Sequence, residues 1–208
     1  MGVTILQQYP VKDKTGPQTI ELLSKRITAL GAKQTGQFIV DCETHVASSP
    51  QMGGTQRTVH VLHNSEQPAS VFSILDTGTK TIPVVADTLF DFLIVKLNTV
   101  LVKRQRIETR GPRYELCDFC IKIGSVTMGQ NFKGVLLEVE YKPSVIPGSC
   151  WDFMKEFIQG FLGNTALNIV PQYLQNRMDQ VYQPIDTIQQ YLEHFNMFRK
   201  TTGILQYQ

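Results

Sequence analysis

The chain lacks any long apolar run. A helix that crosses a bilayer needs about eighteen or more consecutive apolar residues, and the sequence contains no such run. It also has no basic stretch followed by an apolar stretch near its start, which is the pattern of a secretion signal. The sequence therefore predicts a soluble, intracellular protein with no membrane partner.

An excess of charge of one sign is also lacking. The chain has 20 Lys and Arg against 18 Asp and Glu, which gives a net charge of +2. Nucleic acids and anionic membranes bind proteins through concentrated positive charge, so we expect no direct nucleic-acid partner. Cysteine is scarce, with 4 in 208 residues, and we expect reduced thiols rather than a disulfide framework.

Catalytic and cofactor motifs are missing from the sequence. There is no G-x-S-x-G elbow, no Walker loop, no G-x-G-x-x-G and no H-E-x-x-H. Cys117 and Cys120 form a C-x-x-C within one predicted strand, Tyr114–Ile123. Side chains alternate along a strand, so the two cysteines are predicted to lie on opposite faces of it. That placement does not suit a redox pair or half a zinc site. We therefore predict no enzyme activity, no cofactor and no catalytic or metal-binding residue.

What the sequence has is apolar periodicity of two kinds, alternation typical of strands and spacing typical of helices. The predicted strands follow one another along the chain, are interrupted by two helices and are followed by two further helices. This order indicates an α+β fold. We expect an antiparallel β-barrel of about eight strands with flanking helices, including two near the C-terminus. The predicted strands are Val3–Tyr9, Phe38–Val46, Arg57–His63, Ala69–Leu75, Thr81–Ala86, Tyr114–Ile123, Ser125–Met128 and Val135–Tyr141.

Local signals predict the bounds of the first two helices. Pro17 opens the first helix, and Gly31 is placed to end it. The second helix is predicted to start at Asp87 or Thr88 and to continue to about Leu101. Its apolar residues are numerous enough that we expect it to bury a broad face.

Similar signals predict the later helices and two connections. Ser149 and Asp152 fit a capping box for the third helix, and the last helix is predicted to begin near Asp186. The Gly111–Pro112 pair predicts a sharp turn, and the Ala47–Gln56 stretch predicts an exposed loop.

The densest basic cluster lies shortly before the predicted strand Tyr114–Ile123. Nucleic-acid binding would need exposed aromatic side chains beside it, and Tyr114 is the only aromatic residue close by. Because the rest of the chain is nearly neutral, a solvated strand end or the rim of a protein contact is the favoured interpretation. The cluster consists of Lys103, Arg104, Arg106, Arg110 and Arg113.

Glu138, Glu140 and Lys142 alternate along a predicted strand. An E-x-E-x-K strand resembles the signature of the triphosphate tunnel metalloenzymes, closed barrels whose inward carboxylates hold a divalent metal. The alternative is a solvated outer face opposite buried apolar residues. We favour the outer face because the other strands offer only scattered carboxylates, and a metal-dependent triphosphatase stays as the alternative hypothesis.

Several long and irregular stretches carry a family resemblance over almost the whole chain. They are Met1–Thr4, Gly36–Thr44, His63–Pro68, Ala86–Asp91, Ile107–Phe119, Lys122–Gly129, Leu137–Tyr141, Trp151, Phe161–Gly163 and Asn176–Lys200. In these stretches the sequence resembles the Mediator complex subunit 20 family of the Mediator head module.

The resemblance implies a fold, a role and partners. Residues 1–208 would form a single subunit 20-like β-barrel domain with flanking helices. The implied role is a non-catalytic subunit of a nuclear transcription coactivator, which relays regulatory signals to RNA polymerase II transcription. The implied partners are Mediator subunit 18 in a direct heterodimer, Mediator subunit 8 through that heterodimer, other head-module subunits and the RNA polymerase II machinery.

Three residues are predicted to lie at the partner interface. Arg and Trp are enriched at binding hot spots, and Arg110 and Arg113 flank the Gly111–Pro112 pair while Trp151 lies near the start of the third helix. The alternatives are arginines paired with local carboxylates and a tryptophan in the core. An interaction protein is also expected to expose an apolar patch larger than a free monomer carries.

Overall fold

The computed structural model describes residues 2–11, 15–47 and 57–204, with side chains described through residue 200. Most of the predicted loop Ala47–Gln56 lies outside the described residues. The strands are β1 Val3–Tyr9, β2 Lys33–Ala47, β3 Thr58–Asn64, β4 Ser70–Asp76, β5 Thr81–Asp87, β6 Leu101–Leu116, β7 Phe119–Met128 and β8 Asn131–Tyr141. The helices are α1 Gly16–Ala29, α2 Leu89–Lys96, α3 Pro147–Leu162, a 3₁₀ turn Gly163–Thr165, α4 Gln172–Gln175 and α5 Pro184–Ile204.

The eight strands form one antiparallel sheet in the order β1-β8-β7-β6-β2-β3-β4-β5. The predicted α+β class, strand number and C-terminal helices are therefore confirmed. The predicted closure into a barrel is not, because the order of the described strands is linear and ends at β1 and β5. Strand β1 pairs with β8 alone, Val3 lying opposite Tyr141, and β5 pairs with β4 alone, Thr81 lying opposite Asp76.

The chain packs as two compact units. Unit one comprises residues 1–38, 109–126 and 132–208, and unit two comprises residues 39–108 and 127–131. The core of unit one joins apolar residues of β1, β7 and β8 to those of α1 and α3, among them Ile5, Ile121, Leu137, Leu23 and Met154. The single domain expected over residues 1–208 stays a prediction.

Helix α1 follows its sequence signals closely. Thr15 caps it with a capping box, in which the Thr15 hydroxyl accepts from the Gln18 amide and the Gln18 side chain accepts from the Thr15 amide. Leu23 and Ile27 lie fully buried on its inner face. Gly31 has a φ of 97°, a left-handed conformation that favours glycine and ends the helix where the sequence predicts.

The predicted single strand Tyr114–Ile123 is wrong. The chain turns back at Cys117 and Asp118, between β6 and β7, and Cys117 has a φ of 50°. A two-residue turn puts the residues before and after it side by side, so the faces assigned beyond Cys117 are reversed. Cys117 is exposed and Cys120 is buried; both are free thiols, and burial raises the pKa of Cys120 to about 11.

The sharp turn predicted at Gly111–Pro112 is also wrong, because β6 continues through both residues. Gly111 lies so close to β7 that a Cβ atom there would be 2.0 Å from the carbonyl oxygen of Ile123. Glycine is required for this close approach of two strands, rather than for a turn.

The capping box predicted at Ser149 and Asp152 does not form. Helix α3 begins earlier, at Pro147, whose fixed φ suits the first position of a helix. Ser149 therefore lies inside the first turn, where its hydroxyl donates to the carbonyl of Ile146 at 2.8 Å. Gly163 ends the helix with a φ of 62°, a left-handed conformation that favours glycine.

Candidate protein-interaction surface

Helix α2 exposes most of its apolar side chains. The sequence predicts a helix to about Leu101 with a broad buried face, but α2 ends at Lys96 and Ile94 is its one buried residue. Leu89, Phe92 and Val95 are 67%, 68% and 67% exposed. The prediction was wrong because apolar content was taken as evidence of burial.

The exposure continues through the strands on either side of α2. We call this stretch the 82–102 surface. Strand β5 contacts α2, and its apolar side chains are exposed on both of its faces. Soluble monomers rarely expose so many large apolar groups in one region. The exposed members are Ile82, Val84, Val85, Leu89, Phe92, Leu93, Val95, Leu97, Val100 and Val102.

A charged bridge joins α2 to the strands of unit two. The His63 ring lies between two carboxylates, with Nδ1 3.0 Å from Oδ1 of Asp41 and Nε2 3.0 Å from Oδ1 of Asp91 on α2. Hydrogen bonds to Asp41 and Asp91 raise the pKa of His63 to about 9, against the opposing effect of burial. His63 is therefore a cation at neutral pH, and it ties α2 to β2 and β3.

A cavity of about 510 Å³ lies beneath α2. Its polar wall includes Glu43 and Lys103, whose Oε1 and Nζ atoms are 2.8 Å apart, and His45, which is 5% exposed. The His45 Nε2 atom has no hydrogen-bond partner among the described residues, and Glu43 Oε2 lies 3.7 Å from it. Burial lowers the pKa of His45, so its ring is neutral at neutral pH.

The solvated face predicted for Glu138, Glu140 and Lys142 is wrong for Glu138. That residue is 2% exposed; its Oε1 atom lies 2.8 Å from Nζ of Lys122, and its Oε2 atom accepts a hydrogen bond from the Tyr191 hydroxyl of α5. The sequence missed this pair because the turn at Cys117–Asp118 changes the face of Lys122. Tyr191 lies 53 positions away, so no local pattern links it to Glu138.

Glu140 of β8 and Lys142, which lies just beyond the end of β8, contact different partners. Glu140 Oε1 accepts from the backbone amide of Gly2 at 2.7 Å, and Lys142 Nζ lies 2.8 Å from Oε1 of Glu115. Hydrogen bonds from Lys142 and Arg113 lower the pKa of Glu115. Across residues 2–11, 15–47 and 57–204, the structure places no three His, Cys, Asp or Glu side chains where they suit a metal ion.

The three predicted interface residues lie in unit one, whereas the 82–102 surface lies in unit two. Arg110 is exposed on β6, and Arg113 bonds Glu115 at 2.9 Å and the Thr35 hydroxyl. Trp151 is half-buried against the core of unit one. Their role at an interface stays a prediction, and the sequence reasoning did not select any residue of the 82–102 surface.

Comparison with known proteins decides the family. The family described as "TATA-binding related factor (TRF) of subunit 20 of Mediator complex" matches residues 1–196. The chain belongs to the Mediator subunit 20 family. The predicted resemblance is therefore confirmed.

Named relatives of this family are similar to the chain over nearly its full length. "Mediator of RNA polymerase II transcription subunit 20" of Aedes aegypti is 60% identical over 213 residues, which cover 97% of this chain and 96% of the relative. The proteins of that name in Drosophila melanogaster and Homo sapiens are 48% and 46% identical, covering 99% and 96% of this chain and 89% and 95% of the relatives. These subunit 20 relatives are, by name, mediators of RNA polymerase II transcription.

A solved structure of a Pyrococcus horikoshii protein is also similar, with 13% identity and a TM-score of 0.46, and the match covers 82% of this chain and 96% of that one.

Within the part of the chain that the structure describes, no helix has the length and apolar content needed to span a bilayer.

Proposed function

We propose that this protein is a non-catalytic subunit of the Mediator head module in the nucleus. It pairs directly with Mediator subunit 18, contacts subunit 8 through that heterodimer, and meets other head-module subunits. In this position it relays regulatory signals to the RNA polymerase II machinery. The observation that carries the proposal is the 82–102 surface, because its apolar side chains need a protein partner to leave water.

The free energy available from covering this surface is large. Burying one Val, Leu or Phe side chain completely is worth about 1.5–3 kcal/mol, and the 82–102 surface has ten large apolar residues that are partly exposed. Even after the entropic cost of association, burial of the most exposed members supports a stable complex. In a lone chain these side chains stay in contact with water, so this stabilisation is absent.

The contacts of Glu138 support a non-catalytic role. Its Oε1 atom contacts Lys122 and its Oε2 atom accepts from Tyr191, so both carboxylate oxygens are engaged inside the protein. A metal ion at this position would have to displace the buried Lys122 ammonium group. The pair therefore fits a structural role in joining α5 to the sheet better than metal ligation.

Co-expression with Mediator subunit 18, followed by size-exclusion chromatography with light scattering, tests the proposal. We expect a one-to-one complex with subunit 18, and aggregation or poor recovery of the lone chain. A monodisperse lone chain that forms no complex would contradict the proposed pairing. Phosphate release from a nucleoside triphosphate with Mg²⁺ or Mn²⁺, lost in Glu138→Gln, would contradict the non-catalytic role.

A further inference from the structure

The cavity beneath α2 has mainly apolar walls. Its volume of about 510 Å³ lies within the range of sites that hold small organic groups. Val61 and Ile94 are buried apolar residues that line it, and Val95 and Val102 are exposed apolar residues at its wall. A group that fills the cavity must therefore be largely apolar.

The charges that line the cavity neutralise one another. Glu43 contacts Lys103 at 2.8 Å, and protonated His63 contacts Asp91 on one side and Asp41 on the other. An anionic or cationic guest would have to break one of these pairs and lose its own hydration. The cavity therefore favours a neutral guest.

His45 supplies the one specific polar requirement that we identify in the cavity. It is 95% buried, being only 5% exposed, and its Nε2 atom has no hydrogen-bond partner within the described ranges. A buried nitrogen without a partner is unfavourable, and a guest with an O–H or N–H group would relieve this. A neutral imidazole can accept such a bond on one ring nitrogen.

The cavity is continuous with the 82–102 surface. Val95 and Val102 belong to that surface and also line the cavity. A protein that covers the surface must pass over these residues, so its own side chains are the nearest available guests. Tyrosine and tryptophan combine an apolar ring with a single hydrogen-bond donor and are common at the centres of interfaces.

We propose that the cavity beneath α2 receives a tyrosine or tryptophan side chain of the protein that covers the 82–102 surface, and that this side chain donates a hydrogen bond to Nε2 of His45. The guest is an anchor of that interface, and its apolar ring packs between Val61 and Ile94. This inference rests on the proposed function and deepens it by assigning the chemistry of one contact.

Side-chain analogues test the cavity on the full chain without a partner. Indole and p-cresol carry the donor, and toluene is the matched probe without it. We expect indole and p-cresol to shift the His45 ring signals in NMR spectra and to bind roughly fivefold or more tightly than toluene. His45→Phe should remove that preference, while His45→Gln should keep part of it. Equal binding of the three probes, or no shift at His45, would overturn the proposal.

Blocking the cavity tests its role in the complex. Asn98 is an exposed residue that lines the cavity, so Asn98→Trp should fill its mouth. Glu156→Trp is the control, because it adds a Trp at an exposed position of α3 in unit one, away from both the cavity and the 82–102 surface. We expect Asn98→Trp to abolish indole binding and weaken the complex with subunit 18 at least tenfold, and Glu156→Trp to change neither by more than about threefold.

The outcomes separate this proposal from the proposed function. If Asn98→Trp blocks indole but leaves the complex with subunit 18 unchanged, the anchor is overturned while the pairing stands. If wild-type chain binds no subunit 18 while indole binds as expected, the pairing fails and the chemistry of the cavity stands.

Discussion

The burial of helices α2 and α5 is the opposite of what their compositions lead one to expect. Helix α2 is strongly apolar, yet it leaves Leu89, Phe92 and Val95 about two-thirds exposed. Helix α5 is more polar, yet its Gln190 and Tyr191 are both 1% exposed. The difference lies in what each helix meets: α5 finds partners for its polar groups within unit one, whereas the described part of unit two offers α2 little surface to cover.

Polar contacts from α5 supply hydrogen bonds to backbone groups at the edge of the sheet. Strand β1 is at one end of the sheet, where backbone groups lack a neighbouring strand. The Gln190 side chain accepts from the Leu6 amide at 3.2 Å and donates to the Thr4 carbonyl at 2.9 Å, and the Tyr182 hydroxyl also donates to Thr4. Gln190 of α5, together with Tyr182 just before that helix, thus protects an edge that would otherwise be open to another chain.

The largest effect is expected where α5 depends on a buried charge. Lys122→Met leaves the Glu138 carboxylate buried without its cation, and we expect the free energy of unfolding to fall by about 3–5 kcal/mol in urea denaturation. The double variant with Glu138→Leu should recover much of this loss. Lys142→Met, at an exposed pair, is the control and should cost less than about 1 kcal/mol. Equal losses at the two lysines would contradict the buried pair.

A smaller effect is expected at the capped edge of β1. Gln190→Leu keeps the size of the side chain but leaves the Leu6 amide without its partner, so we expect a loss of about 1–3 kcal/mol in unfolding free energy. Amide hydrogen exchange should quicken at Leu6 more than at neighbouring core amides. Unchanged exchange at Leu6 would show that α5 does not protect this edge.

The smallest effect concerns the bridge that holds α2. Because the pKa of His63 is raised from 6.5 to about 9, its contribution to stability is full below about pH 6.5 and is lost as pH rises through about 9. Its side chain is 37% exposed, so screening limits the contribution to about 1 kcal/mol.

Urea denaturation at pH 6 and pH 9.5 measures this contribution against His63→Gln. We expect the difference between wild type and variant to shrink at the higher pH. A difference that grows as pH rises would contradict the charged bridge.

Local sequence signals predicted the elements that local contacts determine. Helix α1 begins and ends beside its capping residues and glycine, and the short strands from β3 to β5 lie where alternation placed them. The two-residue turn at Cys117–Asp118 was missed because alternation continues across it. Because of this turn, Phe119 and Ile121 lie in the same core as Tyr114, and Lys122 contacts Glu138.

The candidate surface was less predictable than the fold. The pattern of α2 indicates an apolar face, but burial depends on whether another element is present to cover it. The sequence correctly led us to expect an exposed apolar patch, and it pointed to Arg110, Arg113 and Trp151 rather than to residues 82–102. His45 carried no signal, since its missing partner becomes evident only in three dimensions.

The central claim is that the apolar side chains of α2, which are exposed in the chain alone, become covered by a protein partner in the complex. The most direct test is the affinity of subunit 18 for Leu89→Ser, Phe92→Ser, Val95→Ser in one chain, against a control with Val145→Ser, Ile169→Ser, Val181→Ser at exposed sites of unit one. We predict a loss of roughly 100-fold or more for the first variant and less than about threefold for the control, with both chains folded. Equal affinities of the two variants would contradict the account.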